Sequence, residues 1–150
     1  MKPSETIDFH IKLLWHSISN MYNQIAQEFD LTQATGFVLL HIDQEAGTPA
    51  TKIAPLMGMR STSLSRILKK MEDESLIQRK KDVKDGRLVK IHLTDKGVEK
   101  SKIAKKVVRE FNQFIIDNMG SKELEDYFQC VKKINGVIEE YKIEKFEGNG

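Results

Sequence analysis

The sequence predicts a mainly α-helical fold with one small β-hairpin, an α+β arrangement within a single domain. Three observations carry this. Apolar residues recur every three or four positions along three long stretches, one near the start and two near the end of the 150-residue chain. Two shorter helical patterns lie in the middle, divided by glycine. Between residues 77 and 93 the period becomes alternating around an Asp-Gly turn. A chain of this length supports one modest core, and 39% apolar with 31% charged residues is a globular profile.

The first helix starts after Pro3 with Ser4 as N-cap, and its stripe runs Ile7, Ile11, Leu14, Ile18, Met21, Ile25 and Phe29 until Asp30 breaks it. A second helix runs from Thr32 to Gly47 and buries Phe37, Leu40 and Ile42. Thr48-Pro49 reads as N-cap and first position of a short helix carrying Ile53, Ala54 and Leu56, closed by Gly58. Pro55 inside it has no N–H to donate, which predicts a kink or an early end. Ser61 caps the next helix, whose inner face is Leu64, Ile67, Leu68 and Met71.

Val89, Ile91 and Leu93 alternate with Leu88, Lys90 and His92, so this run is a strand with His92 facing outward. Ile77–Lys81 is its antiparallel partner and residues 82–86 form the turn. Thr94 then caps a long helix with a stripe including Ile103, Val107, Phe111 and Met119. Gly120 stops it and Ser121 restarts the last helix, which carries Leu124, Phe128, Val131, Ile134, Ile138 and Tyr141. Residues 147–150 are expected to fray.

The net charge of +2 is unevenly placed. Residues 60–90 hold ten Lys or Arg against five acids, whereas the remainder holds 14 basic and 17 acidic residues. A basic middle between mildly acidic ends points to a polyanionic partner. No apolar run approaches the ~20 residues of a membrane helix, and the first residues lack a signal-peptide pattern. With one cysteine, Cys130, no internal disulfide is possible, which suits a reducing cytoplasm. Its apolar helical face fits a core residue rather than a redox sensor.

Catalysis finds no pattern to rest on. His10, His16, His41 and His92 are scattered, and no His-x-x-x-His, Cys-x-x-Cys, phosphate-binding glycine loop or Gly-x-Ser-x-Gly occurs. Neither a metal nor a cofactor is expected, and no enzyme activity.

A short helix, a tight turn and a second helix with a hydroxyl-rich, basic outer face is the sequence form of a helix-turn-helix, and a hairpin placed directly after it is a wing. Base edges in the major groove display donors and acceptors to such a helix. The candidates on it are Arg60, Ser61, Thr62, Ser63, Ser65 and Arg66, with Lys69 and Lys70 further along for phosphates. Arg66 suits a bidentate contact to guanine or a phosphate contact; the sequence leaves both open. An arginine at a hairpin tip can enter a narrow minor groove. The long terminal helices must bury their stripes, and a second copy of the chain is the economical partner. The residues assigned to that interface are Ile7, Ile11, Leu14, Phe128, Val131, Ile134, Ile138 and Tyr141.

The segment from Leu56 to Leu68, followed by Asp85-Gly86-Arg87 and then Leu93-Thr94-Asp95-Lys96-Gly97, resembles the MarR (multiple antibiotic resistance regulator) family of winged-helix transcription regulators. The resemblance implies a winged helix-turn-helix unit over about residues 32–94, flanked by dimerisation helices over about 4–29 and 95–145. It assigns Arg87 to the minor groove with Asp85 orienting it, and Lys84 and Lys90 to flanking phosphates. One departure is notable: Ser75 stands where the family has glycine, so a positive φ there would strain it. The resemblance further implies a cytoplasmic homodimer on a palindromic operator in double-stranded DNA, repressing transcription and released by a small phenolic or lipophilic effector. Trp15, His16, Phe37 and His41 are the candidates to line the effector cavity; Trp15 and Phe37 also fit ordinary core roles. Two other readings remain open, a winged-helix protein-interaction module and a non-specific architectural DNA binder.

Overall fold

A computed structural model describes residues 1–147. The chain forms six α-helices and a three-stranded sheet among these residues: α1 (Ile7–Gln27), α2 (Gln33–Leu40), β1 (Thr48–Pro49), α3 (Ala50–Leu56), α4 (Ser61–Asp73), β2 (Ile77–Lys81), β3 (Val89–Leu93), α5 (Asp95–Asn118) and α6 (Ser121–Lys142). It packs as two compact units, one of Met1–Val107 and one from Val108 onward.

The core of the first unit is made by Val38, Leu39, Ile53, Leu64, Leu68, Met71, Leu76, Ile77 and Ile91, each almost wholly buried. Each such side chain contributes about 1.5–3 kcal/mol on removal from water. The predicted inner face of α4 is therefore the face that packs, and its outer face is left to solvent. The hairpin strands are those the alternation predicts, with Ile77 opposite Leu93 and Arg79 opposite Ile91. Val89, at the outer end of β3, is exposed.

Several boundaries differ from expectation. A 3-10 turn occupies Pro3–Glu5, so α1 starts at Ile7 after Thr6, and Ser4 is not its cap. The second helix ends at Leu40 rather than Gly47. There the Asp43 carboxylate accepts the N–H groups of Glu45 and Ala46, bonds that favour a turn over another helical turn. Thr48-Pro49 forms an unforeseen edge strand against Ile91 and Lys90, and Pro49 becomes the cap of α3. His92 is half-buried rather than outward-facing, its ring so close to Gly47 that a β-carbon there would fall 2.5 Å from Cε1.

α3 runs through Pro55 to Leu56 and does not end early; it closes at Gly58, as the glycine predicts. Gly58 then takes a φ of +61°, and the Met59 N–H bonds the Ala54 carbonyl, a Schellman closure. The same closure ends α4, where Leu76 N–H bonds the Met71 carbonyl and Ser75 holds φ +59°. The position does demand a left-handed backbone, and here a residue with a β-carbon supplies it.

Thr94 caps α5 as expected, its Oγ1 accepting the Gly97 N–H at 3.0 Å. At the next junction Gly120, not Ser121, is the cap residue, and its N–H bonds Glu123 at 2.8 Å. The chain stays helical through Glu147 in a short π-helical turn; residues 148–150, also expected to fray, lie outside those described.

Candidate nucleic-acid interface

Helix α4 begins directly after the α3–α4 turn, and its first residue is Ser61. Arg60 is therefore the cap residue, without a side-chain cap bond, and Ser61 is not the cap. Ser61, Thr62, Ser63, Ser65 and Arg66 are all exposed, as are Arg60, Lys69 and Lys70. Ser65 Oγ donates back to the Ser61 carbonyl at 2.9 Å, so its lone pairs remain outward. Lys70 lies 3.7 Å from Glu74, one helical turn away. The candidates assembled from the sequence thus occupy one open, cationic, hydroxyl-rich helix face.

The wing is organised by a residue the sequence reasoning missed. Asp82 Oδ1 accepts the N–H groups of Lys84 and Asp85 at 2.7 and 3.1 Å, and Oδ2 lies 2.6 Å from Lys90 Nζ. The Lys90 ammonium and those two amides hold the Asp82 carboxyl down to about 2. Its signal was present as an aspartate two and three residues before the tip, the spacing of an Asx turn. Lys90 is consequently half-buried in an internal ion pair rather than set out for a flanking phosphate. Asp85 accepts the backbone N–H of Arg87 at 3.0 Å, so it acts on Arg87 through the shape of the turn. Lys84 and Arg87 are exposed, and Val83 beside them is fully so.

A cavity of about 380 Å³ lies beside the helix-turn-helix, lined by Trp15, Phe37 and His41 together with Gln33, Met57 and Met59. Trp15 and Phe37 pack with ring centroids 6.1 Å apart and planes tilted by 40°, and Tyr22 meets Phe37 edge-on at 5.7 Å. Trp15 is 52% exposed and so is a lining residue rather than core. His16 is not among the lining residues; it pairs with Asn20 at 3.2 Å along α1.

The assigned interface residues divide. Ile7, Ile11 and Leu14 on α1 are exposed, as are Phe128, Val131, Ile138 and Tyr141 on α6, while Ile134 is half-buried. Cys130 is exposed rather than core, because the α6 face it shares is open in the single chain. Among the described residues, no group of His, Cys, Asp or Glu is placed to hold a metal, and no helix is long and apolar enough to cross a membrane.

Known proteins match this arrangement in sequence and in fold. The MarR family model matches residues 31–89. The HTH-type transcriptional regulator SarZ of Staphylococcus aureus is 31% identical over 110 residues, 73% of this chain and 72% of SarZ. The structure of S. aureus MepR in complex with DNA superposes with a TM-score of 0.80 at 22% identity, covering 88% of this chain and 98% of MepR. CouR from Rhodococcus jostii RHA1, bound to p-coumaroyl-CoA, superposes with a TM-score of 0.77 at 18% identity, over 89% and 94% of the two chains. An exposed recognition helix, a wing on the two predicted strands and the sequence match to SarZ lead to one assignment: the chain belongs to the MarR family of winged-helix, DNA-binding transcription regulators.

Proposed function

We propose that the protein is a cytoplasmic homodimeric repressor that binds a roughly palindromic operator in double-stranded DNA and is released by a small aromatic or lipophilic effector. The observation that carries the DNA reading is the open face of α4, from Ser61 to Lys70, next to a wing bearing Arg87. Its chemistry suits a duplex: short hydroxyls and Arg66 for base edges, Lys69, Lys70 and Lys84 for phosphates, and Arg87 for the minor groove.

Dimerisation is supported by the apolar side chains left open on α1 and α6, among them Ile11 at 54% and Phe128 at 64% exposure. In this reading residues 32–94 are the DNA-binding unit and the terminal helices pair two copies. Two recognition helices then reach successive major grooves about 34 Å apart. Occupancy of the operator blocks the promoter.

Release by an effector is supported by the cavity holding Trp15, Phe37 and His41, whose volume falls in the range of small-molecule sites. Its two adjoining aromatics, Trp15 and Phe37, favour a flat apolar ligand, and His41 and Gln33 offer polar contacts. CouR, of the same fold, is bound to an aromatic acyl thioester.

Fluorescence anisotropy of labelled duplexes tests the reading. Binding that weakens steeply between about 50 and 200 mM salt, yet keeps a preference of about 10³-fold or more for one sequence, is the expected result. Salt-steep binding without preference indicates an architectural DNA binder instead. No binding to any duplex indicates a protein-interaction module.

A further inference from the structure

Three consecutive carbonyls follow the end of α4, those of Glu74, Ser75 and Leu76. A helix end leaves its last carbonyls without intrahelical partners. Here all three accept bonds from the start of α5. Lys96 Nζ donates to the Glu74 carbonyl at 2.9 Å, Thr94 Oγ1 to the Ser75 carbonyl at 2.6 Å, and Thr94 N–H to the Leu76 carbonyl at 3.1 Å. Gly97 packs against the same corner so tightly that a β-carbon would lie 2.0 Å from the Leu76 oxygen. The outer side of the corner faces an open cleft of about 430 Å³ lined by Glu72, Ser75, Gln78 and Thr94. On that side Arg79 of β2 donates to the Glu72 carboxylate at 3.2 Å, an exposed tie, while the three carbonyls of the corner are held from Thr94 and Lys96.

The next turns of α5 make two further ties. Lys100 Nζ donates to the Phe29 carbonyl at the end of α1, and Ser101 Oγ to the Leu39 carbonyl of α2 at 3.3 Å. The residues from Thr94 to Ser101 therefore hold the ends of three other helices.

We propose that Thr94 and Lys96 are positioning residues that clamp the C-terminal end of the recognition helix to the first turns of α5, so that α4 and those turns move as one body. The inference rests on the reading that two copies place α4 in successive major grooves. If the joint is rigid, the distance between the two recognition helices is fixed by α5 rather than absorbed by the α4–β2 corner. The protein then tolerates one half-site spacing and rejects others.

Thr94 is suited to this because its hydroxyl donates to Ser75 and accepts from Gly97 at the same time. An aspartate at 94 keeps the acceptor that caps α5 and loses the donor. A serine keeps both.

The test uses the full-length protein and the duplex it selects from random DNA. Affinity is measured for that duplex, for the same duplex with one base pair inserted between half-sites, and for an isolated half-site. In Thr94→Asp combined with Lys96→Met, we expect the penalty for the insertion to fall by about tenfold, because loosely joined heads still engage both half-sites. Taking the ratio of two duplexes cancels the effect of the altered charge. Thr94→Ser is expected to retain the parent penalty. A penalty unchanged in the double variant overturns the clamp, as does a penalty lost equally in Thr94→Ser. A parent protein that selects no two-part site overturns the dimeric DNA reading beneath it, which is a distinct outcome.

Discussion

Asp82 and Lys90 face each other across the wing at 2.6 Å, and the second oxygen of the same carboxylate ties down two amides of the tip. One side chain therefore sets both the width of the hairpin and the path of the loop that carries Arg87. Replacing it with asparagine removes the ion pair and keeps the shape. Asp82→Asn should leave the core intact while broadening the wing's amide resonances and weakening DNA binding. In the parent, the Asp82 carboxyl should titrate in NMR near 2, below an unperturbed aspartate at about 3.9. A depressed value means the ion pair's contribution is complete above about pH 4 and is lost as pH falls through about 2. A midpoint near 4 would show that the pair does not form.

Ser75 adopts φ +59° at the end of α4. A residue with a β-carbon is strained there, and glycine is not. Ser75→Gly should raise stability by about 0.5–1 kcal/mol, the relief of strain outweighing the added freedom of the unfolded chain. A higher urea midpoint at unchanged slope checks this.

Gly97 shows the opposite constraint. Gly97→Ala should cost about 1–3 kcal/mol, since the backbone carbonyl in its way cannot swing aside as a side chain does. Urea unfolding measures the loss, and a neutral substitution would mean the corner is looser than its geometry states.

Arg87 is held through its backbone N–H, and its side chain is exposed. Arg87→Ala should therefore leave unfolding unchanged, weaken binding to the selected duplex and lower the salt slope by about one ion. Unchanged affinity would remove the wing from the interface.

Sequence patterns disclosed the parts of this fold that depend on local periodicity. The alternation at Val89–Leu93 marked the strand, and the spacing of Leu64, Leu68 and Met71 separated the buried face of α4 from the exposed one. The Asp-x-Arg and Leu-Thr-x-x-Gly blocks located the wing and the start of α5. Features that depend on distant partners stayed hidden. The two-residue strand at Thr48 exists only because Ile91 lies beside it. His92 is covered because Gly47 lets it approach, and Lys90 is withdrawn because Asp82 reaches it. Cys130 was misjudged for another reason: apolar neighbours on a helix mark a face without saying that this chain covers it.

Selection of bound sequences from a random duplex library tests the DNA reading most directly. The parent should enrich an inverted repeat with half-site centres about one helical turn apart, and Arg66→Ala should erase or relax preferred bases within each half-site. A library that emerges without any enriched sequence, or enriches a single unrepeated site bound equally well by Arg66→Ala, would contradict it.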